Sequence, residues 1–112
     1  EEAAAAPDLT PFADLDEALE LGEQTYAGAC AVCHGNNGEG GVGVAFAGSD
    51  FATNEEHLDE HIDVLINGRA AMPAFGAQLS PREIAAVVTY ERNAWGNDTG
   101  DLIQPQDVQD HE

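Results

Sequence analysis

Cys30 and Cys33, followed directly by His34 in the run Cys30-Ala31-Val32-Cys33-His34, are the residues of this chain best placed to do chemistry. Two thiols about one helical turn apart can each add to one vinyl group of a haem. A histidine directly after the second thiol then lies under the iron and supplies its proximal nitrogen. A redox dithiol or half of a zinc site are the rival readings. A zinc site wants two further ligands at paired spacing, and the chain has only these two cysteines. A redox dithiol has no use for the adjacent histidine and is expected in a βαβ setting, of which the sequence gives no sign. Covalent attachment of one haem c is the expectation.

Met72, the single methionine, is the second residue with a chemical reading. It lies in a turn-like segment, Met72-Pro73-Ala74-Phe75-Gly76, between two helical patterns. A thioether is a soft, neutral ligand suited to the second axial position of a haem iron. Histidine plus methionine ligation favours the ferrous form and raises the reduction potential. A lone methionine is more often a gap-filler in a core; the loop position and the stiffening proline favour ligation here. The expected site is therefore Cys30 and Cys33 for attachment, with His34 and Met72 on the metal.

Other polar residues are weaker candidates. His57 and His61 sit four apart, a metal-like spacing, but among Glu55, Glu56, Asp59 and Glu60 they read as a solvated face. Arg69 suits a haem propionate or a surface ion pair equally well. Trp95 reads as a core plug rather than an electron relay, and His111 falls in the tail.

The elements that must position these residues are helical. Asp14 followed by Glu17 resembles a capping box, and Leu15, Leu19, Gly22 and Tyr26 recur at helical spacing up to the haem motif. Residues 35–50 form a glycine-rich loop able to lie against a ligand plane, without the lysine of a phosphate loop. A further helix is expected from Thr53 as cap, with Leu58, Ile62, Leu65 and Ile66 buried and Gly68 as its stop. Ser80-Pro81-Arg82-Glu83 is the clearest start signal. Ile84, Val87, Val88, Glu91 and Trp95 line one side of the helix it opens. The tail beyond Asn97 reads as an extended wrap or a short helix. The expectation is an all-α domain of four or five helices over residues 14–112, with 1–13 a flexible lead-in or linker remnant.

Composition bounds the function. The 112 residues amount to one domain, and aromatics make up only 6%, so a porphyrin would supply much of the core. Acidic residues number 22 against three arginines and no lysine, for a net charge of −19. Binding to nucleic acid, which demands a basic surface, is excluded, and so is charge-driven docking on an anionic membrane. Acids spread from Glu1 to Glu112 favour a solvated surface suited to high salt over a local docking patch, and the two can coexist. No stretch approaches the roughly 20 apolar residues of a membrane span. The chain opens Glu1-Glu2, without a basic segment and apolar run. Covalent haem attachment is extracytoplasmic chemistry in bacteria. The expectation is therefore a mature form or an excised domain, on the periplasmic or extracytoplasmic side.

These motifs together resemble a class I cytochrome c. In that family the first and last helices cross at a small residue and an aromatic; Gly22 and Tyr26 fit the first helix and Tyr90 the last. A closer resemblance covers roughly residues 21–108. Asn67-Gly68-Arg69-Ala70-Ala71-Met72-Pro73-Ala74-Phe75-Gly76, Glu83 through Tyr90 and Arg92-Asn93-Ala94-Trp95-Gly96-Asn97 are similar to the cytochrome c domain fused to subunit II of some bacterial cytochrome c oxidases.

The resemblance implies a mono-haem electron carrier rather than an enzyme, exchanging single electrons with redox partner proteins, in the full-length protein tethered to a membrane oxidase. A free-standing periplasmic carrier is the alternative. A haem enzyme or gas sensor requires that Met72 does not bind, and a zinc-dependent structural module is the weakest rival. Two departures stand out. Residues 35–50 contain no proline to offer its carbonyl to the haem histidine, so a carbonyl near Val44 or Ala45 must do so. The copper site of an oxidase subunit II has no cysteines left to build it.

Overall fold

The computed structural model describes residues 8–41, 43–70 and 72–111. Among the described residues six α-helices and one 3-10 turn follow one another: α1 (Leu15–Ala29), α2 (Ala31–His34), α3 (Asp50–Thr53), the 3-10 turn Glu55–His57, α4 (Leu58–Asn67), α5 (Pro81–Asn93) and α6 (Pro105–His111). The fold is all-α, and the one β-type pairing among the described residues is the isolated bridge Arg69–Met72.

Crossing of α1 and α5 makes the frame. Asp14 caps α1 by accepting from the Glu17 N–H at 2.9 Å, and the buried face is Ala18, Gly22 and Tyr26. A Cβ at Gly22 would stand 2.3 Å from the Ala86 carbonyl oxygen and 2.6 Å from the Tyr90 Cβ, so only glycine allows this approach. The helix α5 opens on a complete capping box, Ser80 and Glu83 each bonding the other's backbone N–H at 3.1 and 2.8 Å. It buries every residue from Ile84 to Thr89, and Glu91 and Arg92 as well. Tyr90 and Trp95 pack against Tyr26, with ring centroids 5.6 and 5.0 Å away. Trp95 is thus part of the core packing, as expected.

The segment before α4 departs from expectation. Thr53 does not cap a helix; it ends α3, its hydroxyl donating to the Ser49 carbonyl at 2.8 Å. Ser49 caps α3, and Asn54 caps the 3-10 turn by accepting from the Glu56 N–H at 2.9 Å. Asn54 takes the role given to Thr53 because its side-chain oxygen reaches the backbone N–H two residues on. From there α4 buries Ile62 and Leu65, half-buries Leu58 and Ile66, and stops at Gly68.

The chain also packs upstream of Asp14. Phe12 is buried, Arg82 lies over its ring at 4.3 Å, and its backbone exchanges two hydrogen bonds with the Gln104 side chain. Residues 1–7 of the expected lead-in lie outside the described residues. Beyond Asn97 the tail runs extended over α5, where the Ile103 N–H donates to the Thr89 hydroxyl at 3.0 Å, and then forms α6. No helix among the described residues is long and apolar enough to cross a membrane.

Candidate haem site

Between α2, the glycine-rich loop, α4 and the Met72 segment lies a cavity of about 640 Å³. That volume is in the usual range for cofactor sites. Cys30, Cys33, His34 and Met72, the four residues singled out in the sequence, all line it. Phe46, Phe51, Val64, Leu65 and Phe75 make much of the remaining wall, so the space is largely apolar.

The α1–α2 junction sets the thiols and the imidazole. Cys30 ends α1, and its carbonyl accepts from the N–H groups of Cys33 and His34 at 3.2 and 3.0 Å, which turns the chain tightly through the motif. Burial, helped by the Glu91 and Cys33 charges, pushes the Cys30 thiol up to about 12. A redox dithiol needs an accessible, low-pKa thiolate, and this thiol is neither, so the environment speaks against that rival.

His34 is buried, and its Nδ1 is 2.7 Å from the Val44 carbonyl oxygen. A carbonyl only accepts, so Nδ1 carries the proton and Nε2 keeps a free lone pair. The acceptor expected near Val44 or Ala45 is thus Val44 itself. Gly43 makes room, since a Cβ there would stand 2.5 Å from the His34 Cε1. Its N–H also donates to the Cys33 carbonyl at 2.7 Å, closing the loop back onto α2. Phe46 stacks on the imidazole with centroids 4.3 Å apart.

Met72 arrives from the end of α4. Arg69 and Met72 exchange backbone hydrogen bonds of 3.1 and 2.9 Å, and Phe75 and Gly76 donate to the Leu65 and Ile66 carbonyls at 2.8 and 3.1 Å. The turn rests on Gly68, at φ +79°, where a Cβ would meet the Met72 carbonyl oxygen at 2.8 Å. Ala70 is left-handed as well, at φ 54°.

The remaining candidates fall differently. His57 is half-buried against Asp50 and Glu60, at 3.2 and 3.8 Å. His61, expected on a solvated face with it, is instead buried against the cavity. Its Nε2 lies 2.6 Å from Glu91 Oε1, a pairing between α4 and α5 that displaces the solvated reading. Arg69 lines the cavity mouth, and its guanidinium pairs with Glu60 at 2.6 Å. His111 reaches Asp63 at 3.4 Å. Among the described residues no three His, Cys, Asp or Glu side chains converge as a metal cluster.

The residues present fit a covalently attached tetrapyrrole. Two unpaired cysteines, an imidazole with a free nitrogen and a thioether share one apolar cavity.

Residues 17–90 match the protein family described as cytochrome C oxidase, cbb3-type, subunit III. The chain is 33% identical over 101 residues to the cytochrome c subunit of a quinone alcohol dehydrogenase from Gluconacetobacter polyoxogenes. That match takes in 78% of this chain and 21% of the subunit, so the chain spans about a fifth of that relative's length. Cytochrome c6 of Gracilaria tenuistipitata var. liui is 36% identical over 87 residues, with 76% of this chain and 77% of the relative covered. Among solved structures, cytochrome cL from Methylophaga aminisulfidivorans superposes with a TM-score of 0.61 at 27% identity, over 84% of this chain and 65% of that one. These likenesses are to cytochromes c at large and do not single out the subunit II branch.

Proposed function

The chain belongs to the cytochrome c family, as an electron-transfer domain carrying covalently bound haem c, and we propose that Cys30, Cys33, His34 and Met72 are the residues that hold that haem. The thiols of Cys30 and Cys33 would attach the haem covalently, and His34 Nε2 and the Met72 sulfur would be its iron ligands. One observation supports this above the others: His34 Nδ1 is committed to the Val44 carbonyl in the same cavity that both thiols and Met72 line.

Bound haem supplies a reversible one-electron iron couple. The Val44 carbonyl fixes the tautomer and plane of His34 and raises its basicity. Met72 would supply a thioether ligand, which would favour the ferrous state. The apolar walls exclude water and limit reorganisation when charge changes. A site so filled would suit outer-sphere transfer to a partner protein.

The proposed setting is electron delivery into a terminal oxidase, as the cytochrome c domain of a subunit II on the extracytoplasmic side of the membrane. A free-standing periplasmic carrier is the second reading, favoured by the 77% coverage of a cytochrome c6.

The test of the site is Met72→Ala in the matured, haem-loaded protein. The wild type should show the near-infrared sulfur-to-iron band in its ferric form and bind carbon monoxide poorly when ferrous. The variant should lose the band, bind carbon monoxide rapidly and have a lower midpoint potential. Rapid, tight carbon monoxide binding by the wild type would assign the protein to haem enzymes or gas sensors instead.

A further inference from the structure

Three arginines carry all the permanent positive side-chain charge of this chain, and of the three only Arg69 lines the haem cavity. Arg82 is engaged with Glu17 and the Phe12 ring, and Arg92 with Asp101. The backbone of Arg69 is fixed beside Met72 by the two hydrogen bonds they exchange. Its side chain runs back along α4 to Glu60, where Nη2 and Oε2 are 2.6 Å apart. Glu60 stands about one helical turn before Val64, which lines the cavity. The guanidinium is thus held along the cavity edge of α4.

Exposed ion pairs contribute little to stability, and the Arg69 and Glu60 side chains are 55% and 47% exposed. The pair therefore matters for where it puts the guanidinium, not for holding the fold. Nη2 serves Glu60, but a guanidinium has five N–H donors, so it can take a second carboxylate at the same time. A haem brings two carboxylate side chains. Walls of Phe46, Phe51, Val64, Leu65 and Phe75 offer them nothing to bond. His34 is committed to the Val44 carbonyl, and His61 and Glu91 to each other. In a molecule of net charge −19, added carboxylates at this cavity find their cation at Arg69.

We propose that Arg69 is a further haem-binding residue, whose guanidinium donates to a carboxylate side chain of the haem at the cavity mouth. Glu60 is the positioning residue that holds the guanidinium there. The inference rests on the haem reading of the cavity and adds a cationic contact to it.

The test uses the matured, haem-loaded full chain and three variants. Arg69→Gln removes the guanidinium at the cavity, and Arg82→Gln removes the same charge beside Glu17. The resonance Raman band of the haem carboxylates should shift in Arg69→Gln and stay in place in Arg82→Gln. The midpoint potential should fall further in Arg69→Gln, because a nearby cation favours the ferrous state. Glu60→Gln should shift the same band by less, since the guanidinium stays but loses its anchor. An unmoved band in Arg69→Gln, or equal changes in Arg69→Gln and Arg82→Gln, overturns the inference while the protein stays red. An unmoved band in Glu60→Gln overturns the role given to Glu60. A colourless wild-type protein overturns the haem assignment, and this inference with it.

Discussion

Tyr26 ties the end of the thiol-bearing turn to α1 through one proton. Its hydroxyl donates to the Gly35 carbonyl at 2.7 Å. Burial first, and the Glu91 charge second, raise its pKa above the ordinary 10.0. The folded chain therefore binds the phenolic proton more tightly than the unfolded chain does. Its contribution to stability is complete below pH 10 and is lost as pH rises beyond that value. Tyr26→Phe should cost about 1 kcal/mol near neutral pH, because the Gly35 carbonyl loses its donor, and should flatten the alkaline decline. Denaturant midpoints on both sides of pH 10 read this directly; parallel decline of wild type and variant would assign the alkaline loss to another group. At this scale the site was legible where its geometry is local. The spacing of Cys30, Cys33 and His34 is set within one turn, and a carbonyl near Val44 or Ala45 was expected from the resemblance to class I cytochromes c. The His61–Glu91 pair was not legible, because it joins residues 30 apart in sequence. A signal existed nonetheless: His61 stands three residues after Leu58 and four before Leu65, on the buried stripe of α4 rather than its acidic face.

Helix packing turns on one glycine, and α1 contains its own control. A methyl group at Gly22 would overlap the Ala86 backbone, whereas one at Gly28 meets nothing within 4 Å. Gly→Ala in a helix is worth up to ~1 kcal/mol in propensity, but forcing backbones apart costs about 1–3 kcal/mol. Gly22→Ala should thus destabilise the haem-loaded protein by roughly 1–2 kcal/mol, and Gly28→Ala should stabilise it by about 0.5–1 kcal/mol. Thermal unfolding of the two variants reads the difference, and a shift of the same sign in both would remove the close crossing as an explanation. The crossing was legible through the resemblance to class I cytochromes c, which put Gly22 and Tyr26 of the first helix and Tyr90 of the last at the contact. So was the start of α5, where Ser80, Pro81 and Glu83 all favour one boundary. Residues 49–57 were harder, since Ser49, Thr53 and Asn54 are all able to cap, and only packing decides that Ser49 and Asn54 do so. The burial of Phe12 depends on Gln104 and Arg82, far along the chain, and no local pattern announces it.

Charge acts on the molecule as a whole. Arg69, Arg82 and Arg92 are already paired, with Glu60, Glu17 and Asp101, so most of the 22 acidic residues face no cation. The molecule measures 38 × 31 × 25 Å. At 0.01 M salt the Debye length is about 30 Å, so nearly every carboxylate repels every other; at 1 M it is about 3 Å, and the repulsion is confined to neighbours. Self-repulsion of this kind favours the expanded state. Raising sodium chloride from about 0.01 to 1 M should therefore stabilise the haem-loaded protein by at least ~1 kcal/mol, or about 4–8 °C in melting temperature for a domain near this size. The same titration near pH 4, where about half the carboxylates are protonated, should show a much smaller rise. That contrast separates relief of charge repulsion from a general salting-out effect, which would persist at the lower pH. A melting temperature indifferent to salt at neutral pH would mean that the acids are dispersed too widely to strain the fold, and would remove the case for a surface suited to high salt.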